Sequence, residues 1–212
     1  MRTLSQASLK ALRTWPALPS LLFAALLLGV QQGWLSSLDS GLLAWFHLIR
    51  NPFLDALALD LTRSASWPFV SLLVLAILVW AWLSGRDARP FLTAVAGTEA
   101  LNLLTKWLVA RPRPDLFPRL VHESDFGFPS GHTMASLALV LALAHLAQDR
   151  PRTRRWILVL GLPWALLVGI SRLYLQVHYP TDVLGGWLLT LAWLGALNLY
   201  WCQRHAPSRS GG

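Results

Sequence analysis

Six apolar runs dominate the 212-residue chain, and each is close to the length of about 20 residues that crosses a hydrocarbon core of about 30 Å. The runs are 17–35, 67–84, 90–109, 131–147, 156–175 and 183–201. Hydrophobic residues make up 55% of the sequence and charged residues only 13%, which is about half the charged share of an average soluble domain. The sequence therefore predicts an all-α integral membrane protein with six transmembrane helices.

These runs divide the chain into three parts. Residues 1–16 are predicted to be a cytoplasmic N-terminus, 17–204 a six-helix transmembrane domain, and 205–212 a disordered tail. The first run follows three basic residues, as the apolar part of a signal peptide does. Its end lacks a clear cleavage pattern and five more runs follow it, so an uncleaved first helix is favoured.

The segment 36–66, between the first two runs, contains two apolar stretches that are too short to cross a bilayer. These stretches are interrupted by Asp39, Asp55 and Asp60 at spacings that suit short helices. Such helices would lie in the membrane–water interface on the outer side. On this interpretation the segment flanks the mouth of a site that takes lipid. The alternative is a structured loop that rests on the helix bundle.

The positions of the basic residues predict the orientation in the membrane. With the N-terminus in the cytoplasm, eleven of the 18 Lys and Arg residues fall in cytoplasmic segments, so the positive-inside rule places both termini there. This bias also explains the formal net charge of +8, and nucleic-acid binding is not predicted. Cys202 is the only cysteine, so no intramolecular disulfide can form.

The third run ends in the sequence KWLVARPRP at 106–114. Because a residue before proline is disfavoured in the helical region, the helix is predicted to end near Ala110, with Arg113 in the loop just beyond it. Lys106 and Arg113 are then two cations near one helix end, which suits the binding of an anion. The alternative is that both only extend toward the membrane surface and complement the helix dipole.

The fourth run is preceded by the sequence PSGH at 129–132. With Ser130 as N-cap and with Gly131 and His132 in the first turn, the free backbone amides of the helix start form an anion site on the outer side. The glycine allows an anion to approach the backbone closely. The alternative is an ordinary helix cap with an incidental histidine.

The fifth and sixth runs are joined by the sequence SRLYLQVHYPTD at 171–182. Arg172 closes the fifth run, His178 lies in the connection, and Pro180 opens the sixth helix with Asp182 in its first turn. A carboxylate four residues after a histidine can accept a hydrogen bond from one ring nitrogen and leave the other as a nucleophile or base. Taken alone, this spacing is weak evidence for such a pair.

The three motifs together resemble the signature of the type 2 phosphatidic acid phosphatase family, in the superfamily that includes bacterial acid phosphatases and vanadium haloperoxidases. Their order, spacing and placement at the ends of the runs match that signature. The resemblance covers about residues 67–200, with the active-site motifs at 106–182. It implies a membrane lipid phosphatase, built as a six-helix bundle, that uses no metal and no cofactor.

The resemblance also implies roles for individual residues. His178 matches the nucleophile that forms a phosphohistidine, Asp182 the carboxylate that orients it, and His132 the general acid for the leaving oxygen. The residues that would hold the phosphoryl oxygens are Lys106, Arg113, Ser130, Gly131 and Arg172. Because a phosphoryl transition state spreads charge over three oxygens, a ring of cations and amides around two histidines suits this chemistry.

Two further acidic positions bear on the site. Glu123, close to Asp125 in the loop before PSGH, could tune His132 or assist the leaving group, although a solvated loop is the simpler interpretation. Glu99 lies seven residues before Lys106 and therefore on the same helix face. Since a carboxylate inside a membrane is costly, Glu99 is expected to face the bundle interior and to have a partner there.

The resemblance implies a lipid phosphate substrate, taken from the outer leaflet of a bacterial inner membrane. Because the outer loops are compact, an isoprenoid diphosphate such as undecaprenyl diphosphate is placed first. Phosphatidylglycerophosphate and phosphatidic acid follow closely. The alternatives are a lipid A phosphatase, a lipid phosphotransferase, a vanadate-dependent haloperoxidase and a non-catalytic lipid transporter. The expected partners are the lipid substrate and the membrane lipids, and the sequence does not indicate an oligomeric state.

Overall fold

The computed structural model describes residues 16–204, and their side chains through Trp201. The predicted tail 205–212 and the predicted N-terminal segment 1–16, apart from Pro16, lie outside the described residues. Within residues 16–204 the chain forms eight α-helices and no strand, as predicted for an all-α protein. The helices are α1 (Ala17–Gln31), α2 (Ser36–Leu48), α3 (Pro52–Ser64), α4 (Trp67–Leu83), α5 (Arg89–Val109), α6 (Gly131–Leu146), α7 (Pro151–Tyr174) and α8 (Pro180–Arg204).

Each predicted apolar run corresponds to one helix, although the helices at 151–174 and 180–204 begin several residues before their runs. The ends of the helices follow from local sequence. Helices α3, α4, α5 and α7 all have proline at one of their first two positions, where the missing N–H costs nothing. Helix α5 ends at Val109, and Ala110 adopts a left-handed φ of 48° just before the proline-rich segment. The predicted end near Ala110 and the predicted start at Pro180 are both confirmed.

Two helices, Pro151–Tyr174 and Pro180–Trp201, are each long and apolar enough to cross a membrane alone. The pairs α1 with α2 and α3 with α4 also qualify if each bent pair is one span. Helix α6 has 16 residues and is therefore only about 24 Å long, which is shorter than a hydrocarbon core of about 30 Å. Helix α5 is long enough, but it carries the charged residues Glu99 and Lys106. The chain is thus an all-helical protein with at least two spans, and the count of six remains a prediction.

The segment between the first two runs forms the short helices α2 and α3. The chain bends by 89° between α1 and α2 and by 44° between α3 and α4. Helix α2 packs on α7 and α8, and α3 packs on α7. Leu43 and Ala58 are buried in these contacts, so the two short helices are parts of the bundle wall.

Helix α6 forms the centre of the bundle and packs on α4, α5, α7 and α8. It is apolar all round, and ten of its 16 residues are buried, as expected for a helix without a solvent-facing side. Gly161 lets α7 approach closely, because a Cβ at this position would lie 2.7 Å from the Val140 side chain. This packing brings the start of α6 between the C-terminal end of α5, the C-terminal end of α7 and the start of α8.

Candidate active site

The three predicted motifs meet at one end of the bundle, where four helix ends come together. Lys106 lies in the last turn of α5 and Arg172 in the last turn of α7. Ser130 is the N-cap of α6, and Asp182 lies in the first turn of α8. A cavity of about 520 Å³ opens at this end, lined among others by Lys106, Arg113, Glu123, Gly131, His132 and His178.

His178 lies in the turn between α7 and α8 and is only 1% exposed. Its Nδ1 is 3.4 Å from Asp182 Oδ2, and its Nε2 is 3.0 Å from Arg113 Nη1. A guanidinium can only donate hydrogen bonds, so we assign Nε2 as the acceptor and place the imidazole proton on Nδ1, facing Asp182. The nitrogen that bears the lone pair therefore faces a cation, which suits a nucleophile that attacks an anion.

Hydrogen bonds from three directions fix the turn that presents His178. Gln176 adopts a left-handed φ of 62°, and its side-chain amide donates to Leu43 O at 3.0 Å. Arg113 Nη1 donates to Val177 O at 2.9 Å. Asp182 Oδ2 accepts from Tyr179 N at 2.9 Å, so the carboxylate that faces His178 also caps the start of α8.

The protonation state of His178 follows from its surroundings. Burial lowers the pKa of His178 well below its ordinary value, and the charges of Arg113, Arg172 and Lys106 lower it further. The imidazole is therefore neutral at neutral pH. A neutral ring keeps the lone pair that an attack on phosphorus requires.

Three cations with buried side chains, Lys106, Arg113 and Arg172, lie at this end of the bundle, and each contacts a carboxylate of the loop before α6. Lys106 and Arg113 line the cavity directly. Lys106 Nζ is 2.9 Å from Asp125 Oδ2. Arg113 also pairs with Asp125, and Arg172 pairs with Glu123. Both acidic residues of this loop are therefore ion-paired. Glu123 is mostly buried, whereas the Asp125 side chain is 54% exposed, as predicted for a solvated loop. Several cations at one site suit an anionic ligand. Within the described residues, no three or more His, Cys, Asp or Glu side chains form a group that could hold a metal.

The ionisation of Asp125 reflects these contacts. Burial acts to raise its pKa, but the hydrogen bonds and charges of Lys106 and Arg113 outweigh burial and hold the pKa below its usual value. Asp125 is therefore a carboxylate at neutral pH. Its oxygens therefore occupy donors of both Lys106 and Arg113.

The start of α6 borders the cavity next to these cations. The Ser130 side chain makes no capping bond to α6 and instead accepts a hydrogen bond from Thr133 Oγ1 at 2.9 Å. Ser130 therefore leaves the first backbone amides of α6 without a side-chain cap. Uncapped amides at a helix start are what an anion site requires. Gly131 packs closely on α5, because a Cβ there would lie 3.1 Å from Asn102 Oδ1. His132, in the same turn, is half-buried in the cavity wall.

The cavity continues from the charged end into an apolar groove between α4 and α5. Its apolar lining comes from Trp67, Val70, Val74, Leu75, Leu78, Leu92 and Val95. Glu99 is half-buried in the same wall, so it faces the interior of the bundle as predicted. The predicted partner is not found, because within the described residues the Glu99 side chain makes no hydrogen bond and no ion pair. The groove joins an anion site to a surface that suits a hydrocarbon chain.

Sequence reasoning missed three residues that complete the site. Arg111, interpreted only as part of a stiff segment, contacts Asp182. Asp39, interpreted as an interruption of an interfacial helix, is 1% exposed and contacts Arg111. Thr62 of α3 accepts a hydrogen bond from Arg172. A buried aspartate within an apolar helix was the one available signal, because such a carboxylate needs a partner.

Comparison with known proteins identifies similar chains. Residues 87–206 match the model of the PAP2 superfamily. The chain is 33% identical over 177 residues to phosphatidylglycerophosphatase B of Bacillus subtilis, covering 81% of this chain and 87% of that protein. It is 28% identical over 179 residues to a lipid A 4'-phosphatase of Bacteroides thetaiotaomicron, covering 73% and 76%. It is 29% identical over 149 residues to undecaprenyl-diphosphatase BcrC of Bacillus subtilis, covering 66% and 72%.

A solved structure has the same fold. The crystal structure of a transmembrane PAP2-type phosphatidylglycerolphosphate phosphatase from Bacillus subtilis superposes with a TM-score of 0.82 at 29% sequence identity. The match covers 92% of this chain and 100% of that chain. The helical arrangement described above, including the short helices α2 and α3, is therefore that of a membrane-embedded protein.

Proposed function

Because the chain belongs to the PAP2 superfamily, and its relatives are hydrolases of lipid phosphates, we propose that it is a membrane lipid phosphatase that works through a phosphohistidine on His178. One observation carries this proposal. The neutral imidazole of His178 lies between Asp182 and Arg113, at the charged end of a cavity that continues into an apolar groove. A lipid phosphate has the matching shape, with an anionic head and a hydrocarbon tail.

In the first step, the phosphoryl oxygens bind Lys106, Arg113, Arg172 and the amides at the start of α6. His178 Nε2 then forms a bond to phosphorus while the bond from phosphorus to the lipid oxygen breaks. Protonated His132 gives its proton to that oxygen, and the dianionic phosphate favours this protonated form. The positive charge that develops on His178 is stabilised by Asp182.

In the second step, water attacks the phosphohistidine. The water oxygen bonds to phosphorus, the bond between phosphorus and nitrogen breaks, and His132 takes a proton from the water. Inorganic phosphate leaves, and both histidines return to their starting states. The protein supplies positioning and charge stabilisation, which are the main needs of phosphoryl transfer.

Binding of phosphate must displace the acidic loop from the cations. We therefore expect Asp125→Asn to bind inorganic phosphate more tightly, because the amide competes less well than a carboxylate for Lys106 and Arg113. A half-exposed ion pair of this kind is worth up to about 1 kcal/mol, so the inhibition constant for phosphate should fall about two- to fivefold.

The matched control is Asp115→Asn, because Asp115 is 99% exposed and contacts neither cation. Phosphate inhibition of this variant should equal that of the wild type. Weaker phosphate binding by Asp125→Asn would instead mean that Asp125 orients the cations and does not compete for them.

The proposed substrates are undecaprenyl diphosphate and the glycerophospholipid phosphates phosphatidylglycerophosphate and phosphatidic acid. The apolar lining of the groove supports both groups. The polar residues of the site would contact the phosphoryl group, which all of these lipids share. Relatives named for each of the first two substrates support the same choice. We further propose six spans, cytoplasmic termini and an active site on the outer side, on the basis of the charge bias.

The test is phosphate release by the purified enzyme from these lipids and from lipid A, in the presence of excess chelator. Rates for undecaprenyl diphosphate and phosphatidylglycerophosphate should lie within about tenfold of each other, and the rate for lipid A should be far lower. Sealed right-side-out vesicles should hydrolyse outer-leaflet substrate, and inverted vesicles should not. A much faster reaction with lipid A would contradict the proposed substrates. A requirement for added metal would contradict a metal-independent reaction, and activity only in inverted vesicles would contradict an active site on the outer side.

A further inference from the structure

Arg111 lies behind the proposed catalytic pair and contacts it directly. Its Nη1 is 2.5 Å from Asp182 Oδ1 and donates to Thr181 Oγ1 at 2.7 Å. Its Nη2 donates to Asp39 Oδ2 at 2.7 Å. The guanidinium lies 4.3 Å from the centre of the Tyr179 ring, which holds its plane in position. One guanidinium thus joins two carboxylates from distant parts of the chain.

Asp39 fixes the other side of Arg111. It lies in the first turn of α2 and is 1% exposed. Its Oδ1 accepts from Thr181 N at 3.0 Å, and its Oδ2 accepts from Thr181 Oγ1 at 2.7 Å as well as from Arg111. Every hydrogen bond of the Asp39 side chain within the described residues is therefore directed at Arg111 or at the first turn of α8, which bears Asp182.

The two oxygens of Asp182 have separate partners. Oδ1 faces Arg111, whereas Oδ2 faces Tyr179 N and His178 Nδ1. Asp182 is fully buried, and an isolated buried carboxylate would be strongly destabilised. The charge of Arg111 offsets this cost and also sets the rotation of the carboxylate, because its hydrogen bond fixes Oδ1 and leaves Oδ2 directed at the imidazole.

We propose that Asp39 and Arg111 are positioning residues that hold Asp182 as an oriented carboxylate toward His178. This inference rests on the proposed function, since it assigns a role in the attack by His178. It also gives α2 a function: the segment between the first two spans supplies the carboxylate that fixes the cation behind the catalytic pair.

The proposal separates catalysis from phosphate binding. Arg111 contacts Asp39, Thr181 and Asp182. The cations proposed to bind phosphate, Lys106, Arg113 and Arg172, instead contact Asp125 or Glu123. Arg111→Met should therefore lower kcat by about 100-fold, because Asp182 remains but loses the group that orients it. This loss is smaller than the loss of about 10⁴-fold expected when the orienting carboxylate itself is removed. Inhibition by inorganic phosphate should change by less than about threefold. Asp39→Asn removes one charge but keeps hydrogen-bonding groups, so its kcat should fall by about tenfold.

A double-mutant cycle tests whether Arg111 acts through Asp182. The variant that combines Arg111→Met with Asp182→Asn should be no slower than Asp182→Asn alone, because the group on which Arg111 acts is already lost. The control is Arg119→Met, since Arg119 is in the same loop but donates to Pro114 O. Its kcat should stay within about threefold of the wild type.

Three results would overturn the proposal. The first is a near-normal kcat for Arg111→Met. The second is a double variant whose loss in kcat equals the product of the losses of Arg111→Met and Asp182→Asn. The third is a loss of phosphate affinity in Arg111→Met as large as its loss in kcat. If Arg111→Met does not yield a folded protein in detergent, Asp39→Asn decides by the same readouts. These outcomes differ from failure of the proposed function, in which the wild type releases no phosphate or does not need His178.

Discussion

Replacing His178 with alanine is expected to abolish phosphate release, with a loss in kcat of about 10⁴-fold or more. The imidazole Nε2 is the proposed attacking atom, and water placed in the resulting space lacks both its nucleophilicity and its orientation by Asp182. The measurement is steady-state phosphate release by purified wild type and variant. Because the cations remain, the variant should lose much less substrate affinity than turnover.

The matched control is His122→Ala, because His122 is an exposed histidine of the loop before α6. Its kcat should remain within about threefold of the wild type. The lowered pKa of His178 adds a second readout. The ring stays neutral as the pH falls below 6.5, so protonation of His178 should reduce kcat/KM only at a more acidic pH. Near-normal turnover by His178→Ala would reject the mechanism.

His132→Ala is expected to slow the enzyme by about 10²- to 10⁴-fold, which is the usual contribution of a general acid or base. The loss should depend on the leaving group, because a stable leaving anion needs no proton. Lipid-like aryl phosphates with acidic phenols should therefore be hydrolysed by the variant with a much smaller deficit than alkyl phosphates. A plot of log(kcat/KM) against the pKa of the leaving alcohol should be steeper for His132→Ala than for the wild type.

His145→Ala is the control for this series, because His145 lies at the far end of α6 and lines a different cavity. Its dependence on the leaving group should match that of the wild type. An equal loss for all leaving groups in His132→Ala would indicate that His132 binds the phosphate and does not protonate the leaving oxygen.

The sequence predicted which residues lie together at one end of the bundle better than it predicted the architecture around them. Lys106, Ser130, Arg172 and Asp182 each lie at the end of an apolar run, and run ends that fall on one membrane side must meet in a compact bundle. Local rules were sufficient here: proline placed the start of α8, and the residue before proline ended α5.

The residues that the sequence missed act over long separations. Asp39 contacts Thr181, 142 positions away, and no periodicity connects α2 with the start of α8. Asp125 looked like a solvated loop residue because its partner Lys106 lies on another element. An apolar run also does not by itself define a span: α6 is apolar because it is packed on all sides by other helices, and it is shorter than a membrane-crossing helix.

The phosphoenzyme itself provides the most direct test of the central claim. Wild-type enzyme mixed with a lipid substrate that carries ³²P in its terminal phosphate should be quenched within milliseconds in alkali and digested. The account predicts an alkali-stable, acid-labile label on the peptide that contains His178. The label should be absent from His178→Ala and longer-lived in His132→Ala, which lacks the base for hydrolysis. Rapid turnover of the wild type with no label, or with a label on a different residue, would contradict it.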